Sequence, residues 1–141
     1  MDRGAVDSAL LTLLGNDATL KGLCADGVFF SMAPQAAKRF VVISVTDHEV
    51  APMFEGGLAF ERFEYLIKAV IFSTSRSDVR KAATQIDALM TAADTTLAPA
   101  GYRVVRVKVE SYRTYAEPDV NPDQRWQHDG GEYLIDVVPI A

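Results

Sequence analysis

The chain has 141 residues, 14 of them basic and 19 acidic, for a formal charge of −5. That length gives room for one domain with a real core, and the acidic balance excludes a face built to grip nucleic-acid phosphate. A lone cysteine, Cys24, excludes an internal disulfide, and no apolar run reaches the roughly 18 residues of a membrane-spanning helix. The start MDRGAVDSALL is acidic where a secretion signal is basic, so a cytosolic origin is expected.

Along residues 4–14, Val6, Ala9, Leu10, Leu13 and Leu14 recur at helical spacing, with Asp2 available as a cap and Gly15 placed to end the helix. Asn16 or Asp17 caps a second, shorter helix through Leu20 and Leu23. GVFFSM (27–32) reads as a brief strand, ended by Pro34, which has no amide hydrogen to donate. RFVVISVT (39–46) is apolar on both faces near its middle, which predicts a central strand.

The stretch from Leu58 to Ala93 organises the rest. Its first half alternates as a long strand that turns Glu61, Phe63, Tyr65, Ile67, Ala69 and Ile71 toward the core. Its second half switches to helical period, with Val79, Ala82, Ala83, Ile86, Leu89 and Met90 on one stripe and Ser75 or Ser77 as the cap. YRVVRVKVESYRTY (102–115) then alternates, so that Val105, Val107 and Val109 share a face opposite Arg106, Lys108 and Glu110. EYLIDVVPI (132–140) closes the chain as a strand. The predicted architecture is α+β: an antiparallel sheet of four to five strands with helices packed on one face. One domain spans 1–141, with a loop at 48–57 and an arm at 114–131 as extensions.

Chemistry is sparsely represented, and no catalytic, cofactor-binding or metal-binding residue is expected. Asp47, His48 and Glu49 are consecutive on a strand, so their side chains alternate and cannot converge on one ion. His128-Asp129-Gly130-Gly131 reads as a turn into the last strand. Cys24 sits in a leucine-rich helix and reads as a small apolar side chain. Met53 and Phe54 in the Gly/Pro loop, and Tyr112, Tyr115 and Trp126 around the arm, are left over from the core. Either they fold back onto their own domain or they meet a partner.

The succession AVDSALLTLLGNDATLKGL, GVFFSMAPQAAKRFVVISV, FERFEYLIKAVIFSTSRSDVRKAATQIDALM, YRVVRVKVESYRTY and GGEYLIDVVPI resembles the phage tail terminator and tail completion proteins of siphophages, prophages and gene transfer agents. Its most telling parts are Ala33-Pro34-Gln35 before the second strand and the Ser/Arg/Asp start of the helix after the long strand. The resemblance implies a structural protein of the virion tail or neck, assembled in the host bacterial cytoplasm. It implies a homohexameric ring that ends the tail tube and joins it to the head connector, with DNA passing through the lumen without specific binding. The tail tube protein and the connector are then its partners, with Met53, Phe54, Tyr112, Tyr115 and Trp126 as candidate contacts. An acidic chain suits such a lumen, because phosphate is repelled from it. Other readings are a different neck or minor tail component, or a small-ligand-binding or enzymatic α+β module.

Overall fold

The computed structural model describes residues 4–51, 60–117 and 124–140. Its elements are α1 (Gly4–Gly15), α2 (Ala18–Leu23), β1 (Val28–Phe30), β2 (Arg39–Ala51), β3 (Phe60–Ser73), α3 (Ser77–Thr91), α4 (Ala93–Thr96), β4 (Tyr102–Ala116) and β5 (Arg125–Pro139). The strands form one sheet in the order β1-β2-β3-β5-β4. None of these helices is long and apolar enough to cross a membrane.

The α+β class follows the sequence, and so does the element order apart from the short α4, which the sequence reading did not include. Asp17 caps α2, its carboxylate accepting from the Leu20 amide at 3.0 Å. At the start of α3 the cap position is Arg76, with no side-chain cap bond, while Ser75 Oγ accepts from the Ser77 amide at 3.1 Å. The odd positions of β3 face inward as their alternation demands: Phe63, Tyr65, Ile67, Ala69 and Ile71 are buried against Val79, Ala82, Ile86 and Met90 of α3 and Val6, Leu10 and Leu14 of α1. Tyr65 carries its hydroxyl into this layer and donates it to Asp7 at 2.6 Å. Among the described residues, the opposite, even face of β3 has no helix against it.

Several details depart from the sequence reading. The sheet is mixed, because β1 pairs parallel to β2 while the other pairs are antiparallel. Asp26, just before β1, accepts from the amides of Lys38 and Arg39 at 2.8 and 3.0 Å, so both strands leave from the same end. Residues 48–51, expected in a loop, instead extend β2 against β3, from His48↔Phe63 to Ala51↔Phe60. The ladder survives because a bulge between Val45 and Asp47 resets its phase. Likewise residues 114–116 and 125–131 of the expected arm pair as the β4–β5 hairpin, from Thr114↔Asp129 to Ala116↔Gln127. Their threonine, tyrosine and tryptophan suit a strand whose outer face is wet.

The His128–Gly131 run is therefore no turn but the middle of β5, where Gly130 lies opposite Lys68 of β3 and Arg113 of β4. Gly130 is there for closeness: a Cβ on it would sit 2.1 Å from the Ile67 carbonyl oxygen and 2.5 Å from Lys68 Cα. In β4, a bulge between Val104 and Arg106 displaces Val105, which is 51% exposed. Val104 therefore replaces Val105 as the companion of Val107 and Val109 on the core face.

Candidate interaction surface

With α1 and α3 on one side, the other side of the sheet is built from alternate residues of every strand and divides into an aromatic end and a charged end. At the aromatic end, Trp126 stands between Phe40 and Phe72 with ring centroids at 6.2 and 5.1 Å, and Phe29 meets Phe40 edge-on at 6.3 Å. Tyr115 stacks on His128 at 4.2 Å, and its hydroxyl accepts from Lys68 at 3.1 Å. His128 bonds Glu117 through Nε2 at 2.8 Å, while its buried Nδ1 has no hydrogen-bond partner among the described residues. Burial holds this imidazole below its ordinary range against the upward pull of Glu117. Lys68, Val70, Trp126 and His128 with Met32 and Phe40 line a groove here of about 340 Å³.

The charged end is a row of side chains that the pairing sets level across four strands: Glu49 of β2, Arg62 of β3, Asp136 of β5 and Arg106 of β4. Arg62 reaches Glu49 at 3.8 Å and Asp136 at 2.7 Å, and Arg106 reaches Asp136 at 3.2 Å. Arg62 meets Asp136 through two bonds, Nε to Oδ1 at 2.7 Å and Nη2 to Oδ2 at 3.1 Å, a fork that fixes both side chains. The signs alternate and end acidic at β2 and basic at β4.

Beside that row, Glu64, Glu110 and Glu132 bring carboxylate oxygens within 4.8 Å of one another. Lost hydration, and then the hydrogen bond and charge of Glu110 with the charge of Glu132, lift the Glu64 carboxyl above the usual carboxylate range. One oxygen of Glu132 is held by Arg113 at 2.7 Å and the other by Ser111 at 3.2 Å. Lost hydration and neighbouring carboxylates both disfavour the ionised form that would bind a cation. The cluster also fixes a sign: the folded state holds the Glu64 proton more tightly than the unfolded chain does, so stability falls as pH rises from the ordinary glutamate range through the raised value. Glu64→Gln is expected to raise the melting temperature at pH 7 by about 2 °C and to lose that advantage near pH 4. Thermal scans at both pH values check this, and an equal shift at both would rule out the charge effect.

Of the sequence-predicted contacts, Met53 and Phe54 lie outside the described residues. Tyr112 and Tyr115 are 62% and 44% exposed, but the sheet turns them to opposite sides. Tyr112 is on the helix side, donating to Asp87 of α3 at 3.1 Å beside Tyr133, which donates to the same oxygen at 2.9 Å. Trp126 is half-buried and packs within its own chain, so the three aromatics do not gather at one place. Asp47, His48 and Glu49 diverge as alternation requires: Glu49 points to Arg62, while His48 turns to the core side, bonds the fully buried Glu61 at 2.8 Å and stacks on Phe63 at 4.2 Å. The Cys24 thiol, pushed up to about 12 by burial, stays protonated. The charged row was missed in the sequence because its members are scattered from position 49 to 136 and only pairing registers bring them level.

No protein-family model matches the chain, and no curated protein matches it. Among solved structures, a chain of the virion of a native gene transfer agent particle is similar, with a TM-score of 0.71 and 21% identity over 96% of this chain and 96% of that one. Identity at that level shows a shared fold.

Proposed function

We propose that this chain is a structural protein of a virion or gene transfer agent particle, and within it the ring that ends the tail tube and joins it to the head connector. The observation that carries this reading is the likeness in fold to a virion chain over 96% of each of the two chains. The surface is consistent with assembly: among the described residues, one sheet face has no helix layer, β2 beyond Ile43 and the outer side of β4 beyond Tyr102 have no strand partner, and the charges of these two edges differ. The proposed partners are other copies of this chain in a ring of six, the tube protein and the connector, with DNA in the lumen. Met53, Phe54, Tyr112 and Tyr115 are the proposed contacts. Trp126 contributes through the aromatic patch that it builds with Phe40 and Phe72.

The purified chain is expected to scatter light as a particle of six times its 15.4 kDa mass, to show rings in electron micrographs and to stop the elongation of tail tubes. A chain that stays monomeric at every concentration and leaves tube growth unchanged would overturn the reading.

A further inference from the structure

We infer that the two free edges of the sheet are the two halves of one contact, in which β4 of one copy pairs antiparallel with residues 44–50 of β2 in the next. The inference rests on the ring reading and names its interface. β1 pairs with β2 only as far as Ile43, so among the described residues the outer edge of β2 from Ser44 onward has no strand partner. At the far end of the sheet, among the described residues, β4 from Arg103 onward has no strand partner on its outer edge. Unpaired ladder edges are templates for another strand, and two different edges that match each other generate a head-to-tail contact.

Direction and level both fit. The pairings β2–β3, β3–β5 and β5–β4 are all antiparallel, so β2 and β4 run in opposite senses. A second copy, set beside the first by rotation about an axis along the strands, therefore presents β2 antiparallel to β4, with no shift along the strands. In that position Glu49 of one copy stands level with Arg106 of the other, through Glu49↔Arg62, Arg62↔Asp136 and Asp136↔Arg106. Asp47 stands level with Lys108 through Glu64 and Leu134 in the same way. The acidic end of the charged row meets its basic end, and the alternation continues from copy to copy. Like edges are kept apart, since β4 against β4 would set Arg106 and Lys108 among their own kind. The exposed glutamate and arginine side chains that end the row, at 54% and 52%, are open to such a neighbour.

The test reverses each edge separately and then both together. Asp47→Lys with Glu49→Lys, or Arg106→Glu with Lys108→Glu, is expected to weaken self-association at least about tenfold, with circular dichroism unchanged. A 1:1 mixture of the two variants, and a single chain carrying all four changes, are expected to recover the parent's mass in light scattering. Association should also weaken as salt is raised. If the parent forms rings and the single-edge variants form them equally well, the edge contact is wrong while the ring reading stands. Folded variants that fail to recover on mixing also overturn it. A parent that is monomeric at its highest soluble concentration overturns the ring and the edge contact together.

Discussion

Gly130→Ala should leave little folded protein. The new methyl group would be driven to 2.1 Å from the Ile67 carbonyl oxygen and 2.5 Å from Lys68 Cα, both backbone atoms in the middle of β3, which is itself paired on both sides. Relief requires moving a central strand, because no flexible side chain can step aside. Overpacking a core costs about 1–3 kcal/mol where side chains can adjust, and this site should cost about 3 kcal/mol or more. The adjacent Gly131 is the internal control. A Cβ there meets the Ser111 carbonyl oxygen at 3.0 Å and the ring of Tyr133 at 3.2 Å, so a small displacement accommodates it. Chemical denaturation of both variants checks the order, and a Gly130→Ala protein as stable as Gly131→Ala would show that β3 and β5 are not that close.

The second large effect is expected at Glu61, the one wholly buried carboxylate among the described residues. His48 Nε2 lies 2.8 Å from one of its oxygens and the Tyr102 hydroxyl donates to the other at 3.3 Å. Taking His48 away leaves the oxygen that it holds without that partner, in a layer formed with Phe63, and only the longer Tyr102 bond to the other oxygen remains of these two. His48→Leu is therefore expected to cost about 3–5 kcal/mol, the range for breaking a buried pair from one side. His48→Leu combined with Glu61→Leu should cost far less, since no buried charge is then left unpaired. Urea melts of the single and double variants decide it. Equal losses in both would mean that His48 contributes packing alone.

These two sites also show where the sequence was legible. The alternation of β3 identified its inward face, because a period of two is a direct record of burial. The same pattern placed Glu61 on that face without saying what would satisfy it, for its partners lie 13 and 41 positions away. Gly130 and Gly131 looked like a turn because paired glycines serve that purpose far more often than they mark a close approach between strands. Bulges were invisible for a related reason. One extra residue in β4 moved Val105 out and Val104 in, and no local propensity distinguishes the two valines. The charged row required all the pairing registers at once, so no window of the sequence could contain it.

The shortness of β1 has a mechanical consequence for the inferred contact. A ladder of backbone hydrogen bonds is nearly indifferent to a slip of two residues, since every side chain keeps its face. On β2, however, a visiting strand can travel only until it strikes β1, whose last pairing is Phe30↔Ile43. That short strand would act as an end stop, setting the height of each copy against the next by collision, with the charges confirming the position reached. A version of the protein with β1 lengthened would have less free rail, and one with β1 removed would have subunits that mate at more than one height.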